Sequence, residues 1–257
     1  MKKALKNIYL IIILLFLYMP ILTLVVLSFN QSKSMFKWTG LSLRWYRELF
    51  SNGEILRAVW NTFSIAFCAA VAATLIGTLG AIGLQAMKKR PRNLILSVNQ
   101  IPLLNADIVI GISLMLTFIA AGLYLSWGTV LLAHIFFCLP YVLLSVMPRL
   151  RQSTASTYEA ALDLGASSFQ AFLTVVLPEI WPGIISGFLL SFTMSVDDFV
   201  VTHFTRGAGI NTISTLIYSQ VRVGIRPVLF ALSTLIFLVV LLALLVSNRM
   251  QRKEETA

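Results

Sequence analysis

Charge is scarce in this chain. Of its 257 residues only 12% are Asp, Glu, Lys or Arg, whereas a soluble domain carries about 25%. The shortage excludes an ordinary solvated surface, and the 58% of hydrophobic residues shows what takes its place. Cysteine is nearly absent. Cys68 and Cys138 both fall inside apolar runs, far from a CxxC or metal-ligand spacing, and read as buried free thiols that say nothing about redox compartment. No G-x4-G-K-[ST] phosphate loop occurs, so ATP hydrolysis by this chain itself is not expected. Neither His134 nor His203 has a second ligand at a metal spacing, and no metal site is expected. Repeats of 20–50 residues, low-complexity tracts and a soluble domain are missing as well.

What remains is a set of long apolar runs. A run of about 20 such residues crosses a bilayer as a helix, because each backbone polar group must be satisfied within its own segment. Six segments qualify, at about 8–29, 58–87, 97–121, 127–147, 182–204 and 226–247. They predict an all-α polytopic membrane protein with six transmembrane helices and one membrane domain over 1–257. The first run is too long and apolar for a signal peptide, and the SFNQS after it lacks a small-x-small cleavage site, so it is expected to be retained.

The net charge of +10 reads as topology, not as nucleic-acid binding. Lys2, Lys3, Lys6, Lys88, Lys89, Arg90, Arg92, Arg149, Arg151, Arg249, Arg252 and Lys253 fall on one face, twelve of twenty basic residues. Basic residues near spans favour the cytoplasm, which places both termini inside. The loop after the first span carries LSLRWYRELF next to Trp38. There Ser42 is expected to cap a short helix, beside Trp45, with Leu43, Tyr46, Leu49 and Phe50 on one side. In the second span Ala66, Ala70, Ala73, Gly77 and Gly80 recur at helical spacing, the pattern of close helix packing.

Between the fourth and fifth spans, about 148–181, lies PRLRQSTASTYEAALDLGASSFQAFLTVVLPEIWPG, too structured for a connector. Thr157 is the expected N-cap of a first helix, and Gly165 interrupts it where a left-handed cap forms easily. Phe169, Phe172, Leu173 and Val176 then recur at helical spacing before Pro178, which is expected to end the second helix. The topology projects this elbow into the cytoplasm.

The stretch MSVDDFVVTHF places Asp197 and Asp198 in the fifth apolar run. A carboxylate near a helix centre costs about 2.5–3.5 kcal/mol on insertion scales, so such acids face a cavity or a partner. Adjacent residues point about 100° apart, and the two acids cannot share a face. Asp198 joins Gly187, Ser191, Ser195 and Thr202 in a small, polar stripe suited to a water-filled path, and with Asp107 from the third span is the acid expected to attract and relay a polycation. Asp197 continues from Ser186, Leu190 and Thr193 and is kept as support. The alternatives are pairing with Arg206 or Arg222, a shallow position near the outer interface and, for Asp107 in the third span, an N-cap to VIGISLML. Trp60, Trp127 and Trp181 sit at span ends as an interfacial belt. Tyr218 is a weak cation-π candidate, since Arg222 and Arg226 nearby would repel a cation. His134 and His203 read as satisfied packing residues.

EAALDLGASSFQAFLTVVLP resembles the EAA motif of binding-protein-dependent ABC permeases, E-A-A-x3-G-x9-I-x-L-P. Glu159, Ala160, Ala161, Gly165, Leu177 and Pro178 match at the required spacing, and Val175 stands for Ile. The resemblance implies that Glu159 to Leu164, including Leu162, is a coupling helix docking into a cytoplasmic ATPase. SFNQS, WTGLSLRWY, ADIVIGISLML, HIFFCLPYV, EAALDLGAS, LSFTMSVDDFVV and IYSQVRVGIRP together resemble the PotC-type subunits of spermidine/putrescine transporters from end to end.

That family implies a MetI-like type I ABC permease in the bacterial cytoplasmic (inner) membrane. Its implied partners are a PotB-type permease subunit, two PotA-type ATPases that bind ATP and Mg, and a PotD-type periplasmic or lipid-anchored binding protein. This chain would bind no cofactor and do no chemistry. The resemblance points to a polyamine as cargo and strengthens Asp198 and Asp107 as its carboxylates, beside Asp197, Ser195, Thr202 and Tyr218, which the spacing and chemistry already offer for the pathway. The family commonly has Pro before the Asp of the third span, where this chain has Ala106. Related permeases carry iron, thiamine or aminoethylphosphonate, and carboxylates would also suit a metal cation. A proton-coupled carrier relaying through Asp107 and Asp198 is disfavoured by the elbow, which such a carrier does not use. A membrane enzyme is disfavoured because no nucleophile, base or metal constellation is in view.

Overall fold

With few side chains to compete for backbone hydrogen bonds and long apolar runs to bury, helix is the element this composition builds. The computed structural model describes residues 2–152 and 155–254, apart from the side chains of 2–6, 8, 152, 155–156, 222–223 and 243–254. The side chains of Lys2, Lys3, Lys6, Arg222, Arg249, Arg252 and Lys253 therefore lie outside the described residues. Every named element is helical. In chain order they are α1 (Lys2–Ser28), α2 (Arg44–Ser51), α3 (Gly53–Ala86), α4 (Lys89–Leu104), α5 (Asp107–Ala120) and α6 (Trp127–Gln152). There follow α7 (Ala155–Asp163), α8 (Ser168–Ala171), a π-turn over Phe172–Val176, α9 (Leu177–Asp197), α10 (Val200–Thr205), α11 (Ile213–Val223) and α12 (Val228–Glu254).

Among the described residues four stretches are long and apolar enough to cross a membrane: Tyr9–Ser28, Gly53–Ala86, Trp127–Arg151 and Ser168–Asp197. The segment expected as a third straight span is instead two helices, α4 and α5, bent by 109°. The sixth expected span corresponds to α12, whose described apolar part is Val228–Leu242.

The bend has a local cause. Asn105 is extended at ψ 152°, and Ala106 follows at φ −65° and ψ 138°, the φ to which a proline ring is fixed, with a polyproline-like ψ. The turn characteristic of proline is thus kept by an alanine. Because a residue before proline is also held extended, Ala106→Pro fits this backbone without strain. It is expected to raise stability by about 0.4–1 kcal/mol through the unfolded chain. Thermal unfolding of the purified protein checks this; a lowered midpoint would contradict the geometry.

One compact unit comprises residues 1–56 and 217–257. Its first loop is organised by buried Asn30, whose side-chain oxygen accepts from the Ser32 and Thr39 N–H groups at 3.2 Å and whose amide donates to Lys37 at 2.9 Å. The Trp45 indole N–H donates to the Asn30 carbonyl at 2.6 Å. On α2 the buried side is therefore Trp45 and Leu49, not the expected Leu43, Tyr46, Leu49, Phe50 set, for Leu43 and Phe50 are exposed. Ser42 does accept from the Arg44 N–H at 3.1 Å, although Leu43 holds the N-cap position.

The other unit, residues 57–216, is built on close helix approaches. Ala66, Ala70 and Ala73 are buried completely, and a Cβ on Gly77 would meet Val142 of α6 at 2.7 Å, whereas Gly80 faces open space. The α6–α9 seam is tighter. A Cβ on Gly183 would meet the Ser145 carbonyl oxygen at 2.9 Å, and one on Gly187 the Val142 Cα at 3.2 Å. Ser191 continues the seam, exchanging contacts with Cys138 across it. Gly187→Leu overpacks this crossing and is expected to cost about 1–3 kcal/mol. An unchanged unfolding midpoint would show that the helices do not approach this closely.

Candidate functional site

The fifth apolar run does not continue as one helix through the DD pair. The segment α9 ends at Asp197, and Asp198 turns extended at φ −61° and ψ 128° before α10 begins. The break is stabilised by Asp198 itself. Its carboxylate accepts from the backbone N–H of Val201 at 3.2 Å and of Thr202 at 2.8 Å, as an N-cap does, and from the Thr202 hydroxyl at 2.8 Å. His134 of α6 closes the cluster from the other side, with Nε2 3.5 Å from Asp198 Oδ2. The side chains of His134 and Asp198 are 1% and 5% exposed.

The donors and acceptors order this cluster. Because the Thr202 hydroxyl donates to Asp198, its oxygen accepts from His134 Nε2–H at 2.9 Å, leaving Nδ1 to meet the Ser195 hydroxyl at 2.6 Å. Ser195, His134, Thr202 and Asp198 thus form one satisfied polar chain linking α6, α9 and α10. The stripe is accordingly a packing seam against α6, with Gly187, Ser191, Ser195 and Thr202 buried and the Asp198 side chain 5% exposed. The continuous polar face expected from helical spacing is interrupted because Asp198 caps a new helix. The sequence marked His134 as a satisfied packing residue but not its partners, 61 and 68 positions away. A local signal was available in Asp198 standing four residues before Thr202, which fits a helix start as well as a helix interior.

Asp197 has the opposite environment. It is exposed at the C-terminus of α9 and makes no hydrogen bond or ion pair among the described residues. Neither acid pairs with Arg206, whose guanidinium is engaged by the Ile210 carbonyl at 3.0 Å and by Asn211. Asp107 is exposed in the first turn of α5, where Ala106, not Asp107, is the N-cap. One turn on, Gly111 lets α5 approach Phe204 and Val200 of α10. Tyr218 lies on α11, a helix in the stretch between the fifth and sixth expected spans, and is partly exposed.

The elbow is built as a complete helix stop. Beyond α7 the Gly165 N–H bonds the Leu162 carbonyl at 2.9 Å and the Ala166 N–H the Ala161 carbonyl at 3.1 Å, the paired bonds of a Schellman motif. Gly165 takes φ +90°, which glycine alone adopts readily. Thr157 lies inside α7 and is not its N-cap. Ser167 and Gln170 then form a capping box that starts the next helix. Pro178 does not end that helix. The π-turn, closed by the Leu177 N–H on the Phe172 carbonyl, absorbs the mismatch just before the proline, which sits in the first turn of α9. On the elbow Glu159 and Ala160 are exposed, Ala161 and Leu162 are half-buried, and Leu164 is 89% exposed.

Comparison with known proteins agrees with this architecture. Residues 73–253 match the family described as binding-protein-dependent transport system inner membrane component. The putrescine transport system permease protein PotI of Escherichia coli (strain K12) is 42% identical over 228 residues, covering 86% of this chain and 81% of its own. The spermidine/putrescine transport system permease protein PotC of Haemophilus influenzae is 36% identical over 249 residues, 97% of each chain. Among solved structures, a bacterial ABC transporter involved in the import of the acidic polysaccharide alginate shares the fold, with a TM-score of 0.75 at 16% identity over 97% of this chain and 95% of that one. A related structure holds the alginate transporter in complex with a pentasaccharide-bound periplasmic protein. The chain therefore belongs to the inner membrane components of binding-protein-dependent transport systems, and is a multi-pass membrane permease of the ABC type.

Proposed function

We propose that this chain is one of two permease subunits of an ATP-driven polyamine importer. Support for the cargo comes from the relatives over nearly the whole chain, named for putrescine and spermidine transport. The observation that supports the mechanism is the elbow: a rigidly stopped helix that carries the EAA residues and exposes Glu159, Ala160 and, at its end, Leu164. It docks into a cytoplasmic ATPase. That partner binds ATP and Mg and does the chemistry; this chain binds no cofactor. A second, PotB-type permease completes the pathway, two PotA-type ATPases drive it, and a PotD-type binding protein delivers cargo from outside. Both termini lie in the cytoplasm.

Within this chain the carboxylate offered to the cargo is Asp197, with Asp107 as a second. The carbonyls ending α9 carry partial negative charge, which Asp197 reinforces at an exposed position, and helix ends of this polarity favour cations. Asp107 sits at the favourable, positive end of its own helix, so its charge is partly spent there. Asp198, Ser195 and Thr202 act on cargo only indirectly, by holding the break that places Asp197. Uptake of labelled putrescine and spermidine into proteoliposomes containing the whole complex tests the assignment. ATP- and binding-protein-dependent accumulation is expected; accumulation no higher than without ATP would contradict it.

A further inference from the structure

A cavity of about 140 Å³ lies between α4 and α6. Leu96, Leu143 and Met147 contribute an apolar wall, and Asn99, Gln100 and Arg151 a polar one. It is smaller than the pockets of drug-sized ligands, which run to about 300–1,000 Å³, and it is amphipathic, with the Arg151 guanidinium set against a cationic solute. One turn before Leu96 on the same face of α4 stands Arg92. Its Nη1 reaches only the neutral Gln85 oxygen, at 3.5 Å, and its Nε is buried with no hydrogen-bond partner among the described residues. A buried donor without an acceptor is costly, so something outside this chain is expected to supply one.

The sequence says what sign that partner has. Between Glu54 and Glu159 the only acid is Asp107, while Arg57, Lys88, Lys89, Arg90, Arg92, Arg149 and Arg151 all occur there. Asp107 lies beyond the 109° bend, and at 1.5 Å per residue Arg92 is about 18 Å from the end of α4, more than a Debye length at physiological salt. The cavity thus has Arg151 in its lining, Arg92 one helical turn before Leu96, an apolar wall of Leu96, Leu143 and Met147, and no acid on either α4 or α6.

We infer that this cavity binds an anionic membrane phospholipid, its phosphodiester on Arg151 and Arg92 and the top of an acyl chain along Leu96, Leu143 and Met147. Guanidinium groups suit phosphate oxygens, and basic pockets between membrane helices are sites of this kind. The apolar wall distinguishes a lipid from free phosphate. Because α6 ends at Gln152 and α7 starts at Ala155, the lipid braces the root of the elbow. The inference does not depend on the cargo.

Native mass spectrometry of the purified complex, after exchange with equal amounts of phosphatidylglycerol and phosphatidylcholine, tests it. Phosphatidylglycerol is expected to be retained about tenfold in preference, the scale of one charge-assisted hydrogen bond. Arg92→Gln with Arg151→Gln should remove the preference, and the corresponding pair of Lys substitutions should keep it. Leu96→Trp, which fills the cavity with the charges intact, should lower retention, and Lys37→Gln in the first loop should not. Equal retention of both lipids by the unaltered complex would overturn the proposal. So would a preference that survives both the Gln pair and Leu96→Trp, or displacement of the lipid by millimolar inorganic phosphate.

Discussion

Asp198→Ala is expected to destabilise the protein by about 1.5–3 kcal/mol, the scale of losing hydrogen bonds to a charged acceptor and leaving their buried donors unpaired. The carboxylate accepts three hydrogen bonds and faces His134 at 3.5 Å with almost no solvent contact. Its loss strands the N-terminal N–H groups of α10 and the His134–Thr202 pair together. His134→Ala should fall in the same direction, and the double variant should cost less than the sum, since the two residues share one network. Asp197→Asn, at an exposed position without partners among the described residues, is expected to leave the unfolding midpoint unchanged and to lower polyamine uptake. The adjacent acids thus separate into a stability phenotype and a transport phenotype. Thermal unfolding and uptake measured on the same preparations decide it. A stable Asp198→Ala protein with impaired uptake would reverse the two roles.

The second large effect is expected at the elbow. Gly165 combines φ +90° with a backbone N–H that donates to Leu162, and proline satisfies neither condition. Holding a residue in a forbidden region costs on the order of 1–3 kcal/mol; if the elbow is to keep its shape, that corresponds to roughly a ten- to hundredfold loss of coupled transport. Gly165→Pro should therefore insert normally and transport poorly. Gly165→Asn should retain most uptake, because Asn is the residue after Gly that tolerates the left-handed conformation of a helix stop. Normal uptake by Gly165→Pro, with the chain inserted and the ATPase bound, would remove this segment from the coupling path.

The elbow was legible because its geometry is local. Gly165 can only be a helix stop if the residues around it are helical, and the Schellman bonds from Ala166 and Gly165 join positions five and three apart. The all-helical class followed from apolar run length for the same reason. What escaped the sequence depended on partners far along the chain or on the assumption that an apolar run is one straight helix. The Ser191 and Ser195 face looks like a water path on an isolated helix and becomes a seam once Cys138 and His134 of α6 lie against it. The α4–α5 bend was hidden because Ala106 adopts a proline-like backbone without being proline. Pro178 looks like a terminator in the sequence alone, whereas a single π-turn accommodates it inside a continuous helical run.

On the proposed function, this permease couples a polyamine pathway to an ATPase through the elbow. The most direct measurement is ATP hydrolysis by the reconstituted complex with its cognate binding protein, presented in turn with putrescine, spermidine, ferric iron, thiamine and aminoethylphosphonate. Stimulation by the two polyamines alone, lost in Gly165→Pro, is the expected result. Stimulation by one of the other solutes and not by polyamines, or unaltered stimulation in Gly165→Pro, would contradict it.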